Sequence, residues 1–72
     1  MKREYLIQLR NDRGMSQQEV AEGLDISRQY YSLVEAGKRK IRMDIKMIKE
    51  LARCFDVQDE VILEGEQQYE NL

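Results

Sequence analysis

The 72 residues suffice for one small domain, and the formal net charge is −2. A single cysteine excludes an internal disulfide, and the absence of histidine argues against a zinc site. No apolar run approaches the roughly 20 residues that a membrane-spanning helix needs, and no signal-peptide pattern is present. We therefore expect a cytoplasmic protein that needs neither metal nor cofactor.

The first two predicted helices have clear stop and start signals. Apolar spacing predicts a helix over Lys2–Arg13, which ends at Gly14. Ser16 and Glu19 have the spacing of a capping box, in which each side chain satisfies a backbone N–H of the first helical turn. The second helix therefore begins at Ser16, and it stops near Gly23–Asp25.

A third helix starts only a few residues later, after Ser27, and ends at Gly37. The short turn before Ser27 forces the second and third helices to cross steeply, as in a helix-turn-helix motif. On a helical wheel Tyr31 and Val34 of the third helix point inward. The outward face carries Arg28, Gln29, Ser32 and Leu33, with Tyr30 on the border between the two faces.

In the last part of the chain, apolar spacing predicts a fourth helix over 45–55, with Asp44 or Met43 near its start. A short fifth helix follows and ends at Gly65. Residues 66–72 are expected to form an acidic, frayed tail outside a domain of residues 1–65. Residues 56–72 hold six acidic residues and no basic one, whereas residues 1–55 hold all 12 basic residues. The predicted fold class is thus all-α, a compact bundle of five short helices.

The stretch LRNDRGMSQQEVAEGLDISRQYYSLVEAGKRK resembles the Cro/phage-repressor helix-turn-helix family, also called the xenobiotic-response-element (XRE) type. The matching elements are GMSQQEVA, Ile-Ser at the turn, EAGKR, and IKELARCFDV as the family's fourth helix. The resemblance extends over about Leu6–Leu63. One departure is Asp25 at the turn position where glycine is common, although aspartate tolerates a left-handed backbone better than most residues.

The resemblance implies roles for individual residues. Base reading falls to the outward face of the third helix: Arg28, Gln29, Ser32 and Leu33. Arginine and glutamine can bond in a forked manner to guanine and adenine, while Leu33 either contacts a thymine methyl or reads nothing. Phosphate contacts are expected from residues around that face: Gln17, Ser27, Tyr30, Lys38, Arg39, Lys40 and Arg42.

Some of these roles have open alternatives. For Tyr30, a place at the rim of the core is as compatible with the pattern as a phosphate contact. The loop before the fourth helix is longer than usual for the family and lacks its common proline, which leaves the position of Arg42 open. Arg10 and Glu35 match a pair that forms a buried salt bridge in many members. A dimer interface is expected at Val57, Val61, Ile62 and Leu63, with internal packing of these residues as the alternative.

Two functions are therefore considered. The first is a sequence-specific regulator of double-stranded DNA, most simply a repressor that binds a near-palindromic operator as a homodimer. The second is an antitoxin or adaptor on the same fold, whose acidic C-terminal segment binds a protein partner. Enzymatic activity is not expected, because the sequence has no nucleophile constellation and no phosphate-binding glycine loop.

Overall fold

The computed structural model describes residues 1–38 and 41–71, and its regular secondary structure is helical throughout those residues. The five helices are α1 Glu4–Asp12, α2 Gln17–Leu24, α3 Arg28–Ala36, α4 Ile45–Phe55 and α5 Asp59–Glu70. Helices α2 and α3 form the helix-turn-helix, so the predicted all-α fold is confirmed. Within the described part of the chain, none of the helices is both long and apolar enough to cross a bilayer.

Side-chain caps define where three of the helices start. Ser16 Oγ accepts a hydrogen bond from Glu19 N at 3.1 Å, and Glu19 Oε1 accepts one from Ser16 N at 2.8 Å. Ser27 Oγ accepts from Tyr30 N at 3.0 Å at the start of α3. Asp44 Oδ1 accepts from the Met47 backbone N–H at 2.8 Å and caps α4. Each bond satisfies an N–H that has no partner within its own helix.

Two left-handed residues end the helices of the motif. Asp25 has φ 58° at the end of α2, and Gly37 has φ 69° at the end of α3. Aspartate therefore adopts the left-handed conformation expected at this turn. At both ends the backbone N–H of the left-handed residue bonds to a carbonyl of the last helical turn, which brings the chain sharply away from the helix.

The core lies between the motif and the two C-terminal helices. Helix α2 packs against both α3 and α4, and α5 packs against α4. Tyr31 and Val34, the predicted inward residues of α3, are fully buried. The buried apolar side chains are Leu6, Val20, Ala21, Leu24, Tyr31, Val34, Ile48, Leu51, Ala52, Phe55 and Ile62.

Helix α5 does not end at Gly65 as the sequence predicts, but continues to Glu70. The Tyr5 ring lies against the backbone of Gly65, where any Cβ would collide with it. Gly65 thus serves close packing inside the helix, not helix termination. Glu66, placed in the predicted tail, is buried, so residues 66–70 are part of the helical body and the predicted helix end is wrong.

Candidate nucleic-acid interface

The outward face of α3 presents polar and apolar side chains together. Arg28 and Gln29 are exposed, Leu33 retains 40% exposure, and Ser32 is half-buried. All four belong to one helix whose opposite side, at Tyr31 and Val34, is anchored in the core. This surface can offer a guanidinium fork, an amide and a methyl group to the edges of base pairs.

The start of α3 places two further predicted contacts beside this face. Ser27 is exposed, and because its Oγ acts as an acceptor in the helix cap, its hydroxyl hydrogen is available to a phosphate oxygen. Tyr30 has 39% of its surface exposed. Its ring therefore lies at the surface edge of the helix, where its hydroxyl can reach a partner.

Gln17, predicted to contact phosphate, also has a partner inside the protein. Its Nε2 donates a hydrogen bond to Glu35 Oε1 at 3.0 Å, and the side chain is half-buried. One of its two amide hydrogens is thereby committed to α3. A phosphate contact at this position would use the second amide hydrogen or the backbone N–H at the first position of α2.

Arg10 joins α1 to α3 and to the turn before α2. Its Nε lies 2.7 Å from Glu35 Oε2 and its Nη2 lies 3.1 Å from Oε1, which makes the pair bidentate. The remaining Nη1 donates to the Met15 carbonyl at 3.0 Å. Burial would by itself raise the pKa of Glu35, but the hydrogen bonds that it accepts, foremost from Arg10, together with the Arg10 charge outweigh burial and hold that pKa below its usual range.

Basic residues follow α3 in the loop that leads to α4. Lys38 and Arg42 are exposed, and the Ile41 backbone N–H donates to the Lys38 carbonyl at 3.0 Å. The predicted phosphate contacts at Arg39 and Lys40 lie outside the described residues. Lys38 and Arg42 therefore represent the positive charge of this loop in the structure.

One polar cluster near this loop is not predicted from the sequence. Arg3 Nε lies 3.0 Å from Glu66 Oε1, and the Tyr5 hydroxyl donates to the same carboxylate oxygen at 2.6 Å. The Tyr69 ring stacks on the Arg3 guanidinium, whose Cζ lies 4.7 Å from the ring centroid. The sequence signal is faint: an acidic residue and a tyrosine three apart, which share one face if the helix continues past Gly65.

The predicted dimer interface is divided by the fold. Val61 and Leu63 keep 42% and 40% exposure, and Val57 is half-buried. Ile62 is fully buried in the core of the single chain, so its assignment to the interface is corrected. It shares a helical face with Glu66, four residues on, and that face packs inward.

The described residues show no metal site, since no three His, Cys, Asp or Glu side chains among them converge as ligands would.

A family model described as helix-turn-helix (HTH_3) matches residues 6–62 of the chain. The matched range includes α2, α3 and α4 completely, and with them the exposed face of α3. Neither the curated proteins nor the solved structures returned a match to the chain.

Proposed function

Because the chain belongs to the helix-turn-helix family of DNA-binding regulators of the XRE, or Cro/phage-repressor, type, we propose that it represses transcription from a near-palindromic operator. The observation that carries the proposal is the exposed face of α3, on which Arg28 and Gln29 lie at the N-terminal end of a core-anchored helix. In helix-turn-helix proteins this end of the second helix of the motif enters the major groove.

Base recognition in this proposal is divided along α3. Arg28 bonds to guanine O6 and N7, and Gln29 bonds to adenine N6 and N7. Leu33 lies one turn further along the helix, where its exposed side chain packs against a thymine methyl. Each bidentate contact is worth about 1–3 kcal/mol of discrimination against the wrong base.

Phosphate contacts hold the reading helix in register. Ser27 and Tyr30 lie at the start of α3, and Lys38 and Arg42 lie in the loop that follows it. The cations Lys38 and Arg42 attract DNA of any sequence and make binding dependent on salt, because each neutralised phosphate releases counterions. The overall charge of −2 does not oppose this, since residues 1–55 hold all 12 basic residues against eight of the 14 acidic ones.

Dimerisation places two reading helices on one operator. Val61 and Leu63 are exposed apolar side chains of α5, and half-buried Val57 precedes that helix. We assign the dimer contact to these three residues. Two symmetric copies would meet half-sites about 34 Å apart on one side of the duplex.

The adaptor alternative has less support. It relies on the acidic C-terminal segment as a surface for a protein partner, yet the carboxylate of Glu66 is turned inward and bonded to Arg3 and Tyr5. Exposed Lys38 and Arg42, which follow α3, have no role in a pure adaptor.

A binding-site selection on random duplex DNA, read at two salt concentrations, tests the proposed function. We expect a two-fold symmetric motif. Arg28→Ala should weaken binding to it by about 1–3 kcal/mol while binding to scrambled duplex changes little. Arg53→Ala, the same charge loss on exposed α4 surface, is the matched control. A selection that enriches no motif, or equal losses for the two variants, would reject the proposed function.

A further inference from the structure

Arg3 connects both ends of the loop between α3 and α4, which bears Lys38 and Arg42, to the body of the protein. Its Nη1 donates to the Val34 carbonyl at 2.8 Å, and its backbone N–H donates to the Glu35 carbonyl at 2.8 Å. Its Nη2 donates to the Ile41 carbonyl at 3.3 Å, on the far side of the loop. Arg3 therefore binds both the last turn of α3 and Ile41, on the far side of the loop.

Glu66 holds Arg3 in this position from the opposite side. Its carboxylate accepts hydrogen bonds from Arg3 Nε at 3.0 and 3.3 Å and from Arg3 Nη2 at 3.0 Å. It also accepts a hydrogen bond from the Tyr5 hydroxyl. The side chains of Arg3 and Glu66 are only 4% and 10% exposed. The planar guanidinium thus has its direction set by a buried carboxylate, with its other N–H groups aimed at main-chain carbonyls.

Tyr69 closes the same cluster over Gly37. Its hydroxyl lies 3.1 Å from the Met1 carbonyl and 3.4 Å from the Gly37 carbonyl, and its ring covers the Arg3 guanidinium. A Cβ at Gly37 would collide with the Met1 carbonyl and the Tyr69 hydroxyl. The approach of these groups, together with φ 69°, leaves room only for glycine at the start of the loop.

We propose that Arg3, Glu66 and Tyr69, here called the clasp, are positioning residues that preset the loop bearing Lys38 and Arg42 for contact with DNA phosphates. The proposal rests on the proposed function and names a further part of its machinery. Arg3, Glu66 and Tyr69 all lie outside residues 6–62, the range that the family model matches. The clasp is therefore a feature of this chain beyond the matched domain.

Two physical arguments favour a positioning role over simple attachment of the chain termini. A buried ion pair is generally no more stabilising than well-packed apolar side chains of similar volume, whereas its directional bonds define geometry. A loop fixed at Gly37 and Ile41 also loses less conformational entropy when Lys38 and Arg42 bind phosphate. The clasp contacts the loop ends and the C-terminal turn of α3, and it leaves the reading residues at the other end untouched.

Glu66→Gln and Tyr69→Phe in the full chain test this proposal. Glu66→Gln removes the charge that orients Arg3, and Tyr69→Phe removes one hydroxyl while keeping the ring over Arg3. Affinity for the selected operator and for a scrambled duplex is measured across a salt series, and the backbone order of Lys38 and Arg42 is measured by ¹⁵N relaxation in the DNA-free protein. Asp59→Asn, which removes a carboxylate from the exposed pair with Lys49, is the matched control.

We expect Glu66→Gln to lower affinity for both duplexes by roughly tenfold. The slope of log affinity against log salt should fall by the equivalent of about one phosphate contact. The ratio of operator to scrambled affinity should stay constant, and the amides of Lys38 and Arg42 should become more mobile. Tyr69→Phe should move each quantity in the same direction by a smaller amount. Asp59→Asn should match the wild type.

A folded Glu66→Gln variant with wild-type salt dependence and loop order would overturn the proposal. If Glu66→Gln does not fold, Tyr69→Phe decides by the same criteria. A wild type that binds duplexes without sequence preference rejects the proposed repressor function alone, because the salt series on any duplex still tests the clasp. A wild type that binds no duplex at all overturns both.

Discussion

Arg10 and Glu35 form a bidentate ion pair, with Nε 2.7 Å from Oε2 and Nη2 3.1 Å from Oε1, that joins α1 to the last turn of α3. Gln17 adds a hydrogen bond to Glu35 from α2. Three helices thus meet at one carboxylate, whose side chain is only 4% exposed. The orientation of α3 within the motif depends on this carboxylate.

Glu35→Gln should therefore destabilise the fold strongly. The variant leaves the largely buried Arg10 guanidinium without its counter-charge, which we expect to lower the free energy of unfolding by about 3 kcal/mol. Urea denaturation of the two proteins measures the change. Asp59→Asn at the exposed pair with Lys49, where the atoms are 4.0 Å apart, should cost less than about 1 kcal/mol. Equal losses in the two variants would contradict the role assigned to Glu35.

The same carboxylate predicts a dependence of stability on pH. Burial is the largest single influence and opposes ionisation of Glu35, but the hydrogen bonds that its carboxylate accepts, together with the Arg10 charge, outweigh burial, so its pKa in the folded protein lies below the ordinary value of 4.5. Its contribution is therefore complete above the pKa of the unfolded chain and is lost as pH falls through the folded-state pKa. Urea denaturation of wild type and Glu35→Gln should show a constant stability difference at about pH 6–7 that narrows below about pH 4.5. A difference that stays constant into acid would be inconsistent with this pKa.

A carboxylate should destabilise or unfold the protein at Ile62 but only disrupt the dimer at Leu63. Ile62→Glu places a carboxylate in the core, where Ile62 is fully buried, and should cost about 3–5 kcal/mol or unfold the domain. Leu63→Glu lies on exposed surface and should leave the fold intact while it halves the mass in sedimentation. An unchanged dimer mass for Leu63→Glu would remove the proposed interface.

Gly65→Ala tests why the last helix passes through a glycine. In an open helix this change stabilises by about 1 kcal/mol, but here the new methyl group would collide with the Tyr5 ring. We expect a net loss of about 1–3 kcal/mol in thermal or urea unfolding. Gly23→Ala in α2 is the matched control, since a Cβ there meets only Cys54 Sγ at 3.2 Å, and it should be neutral or slightly stabilising. If Gly65→Ala stabilises the protein, the close-packing explanation fails.

Lys38→Ala should weaken binding to every duplex alike. Loss of one phosphate contact reduces the slope of log affinity against log salt by about 0.9, with no change in the preference for the operator. A salt series on operator and scrambled DNA measures both quantities. Lys49→Ala, an equal charge loss on α4, should retain the wild-type slope. A changed preference among sequences would place Lys38 among the base-reading residues instead.

Much of the motif was predictable because its signals act over three or four residues. The capping box of Ser16 and Glu19 and the Ser27 cap lie where the sequence places them. The helical period also separates buried Tyr31 from exposed Arg28. Hydrogen bonds within one turn and the angle between successive side chains depend on local backbone geometry, so they can be read from the order of residues.

Tertiary structure decided what depends on residues far apart in the chain. Gly65 is a local stop signal, but the Tyr5 ring packed against it makes it part of a longer helix. That extension brings Glu66 to Arg3, 63 positions earlier, so that one residue of the predicted acidic tail is a buried partner of Arg3. Burial and ion pairing at such separations follow from how whole helices pack. The sequence by itself therefore determined the helix starts of the motif and the exposed face of α3, while packing determined the length of α5 and how the exposed face is held.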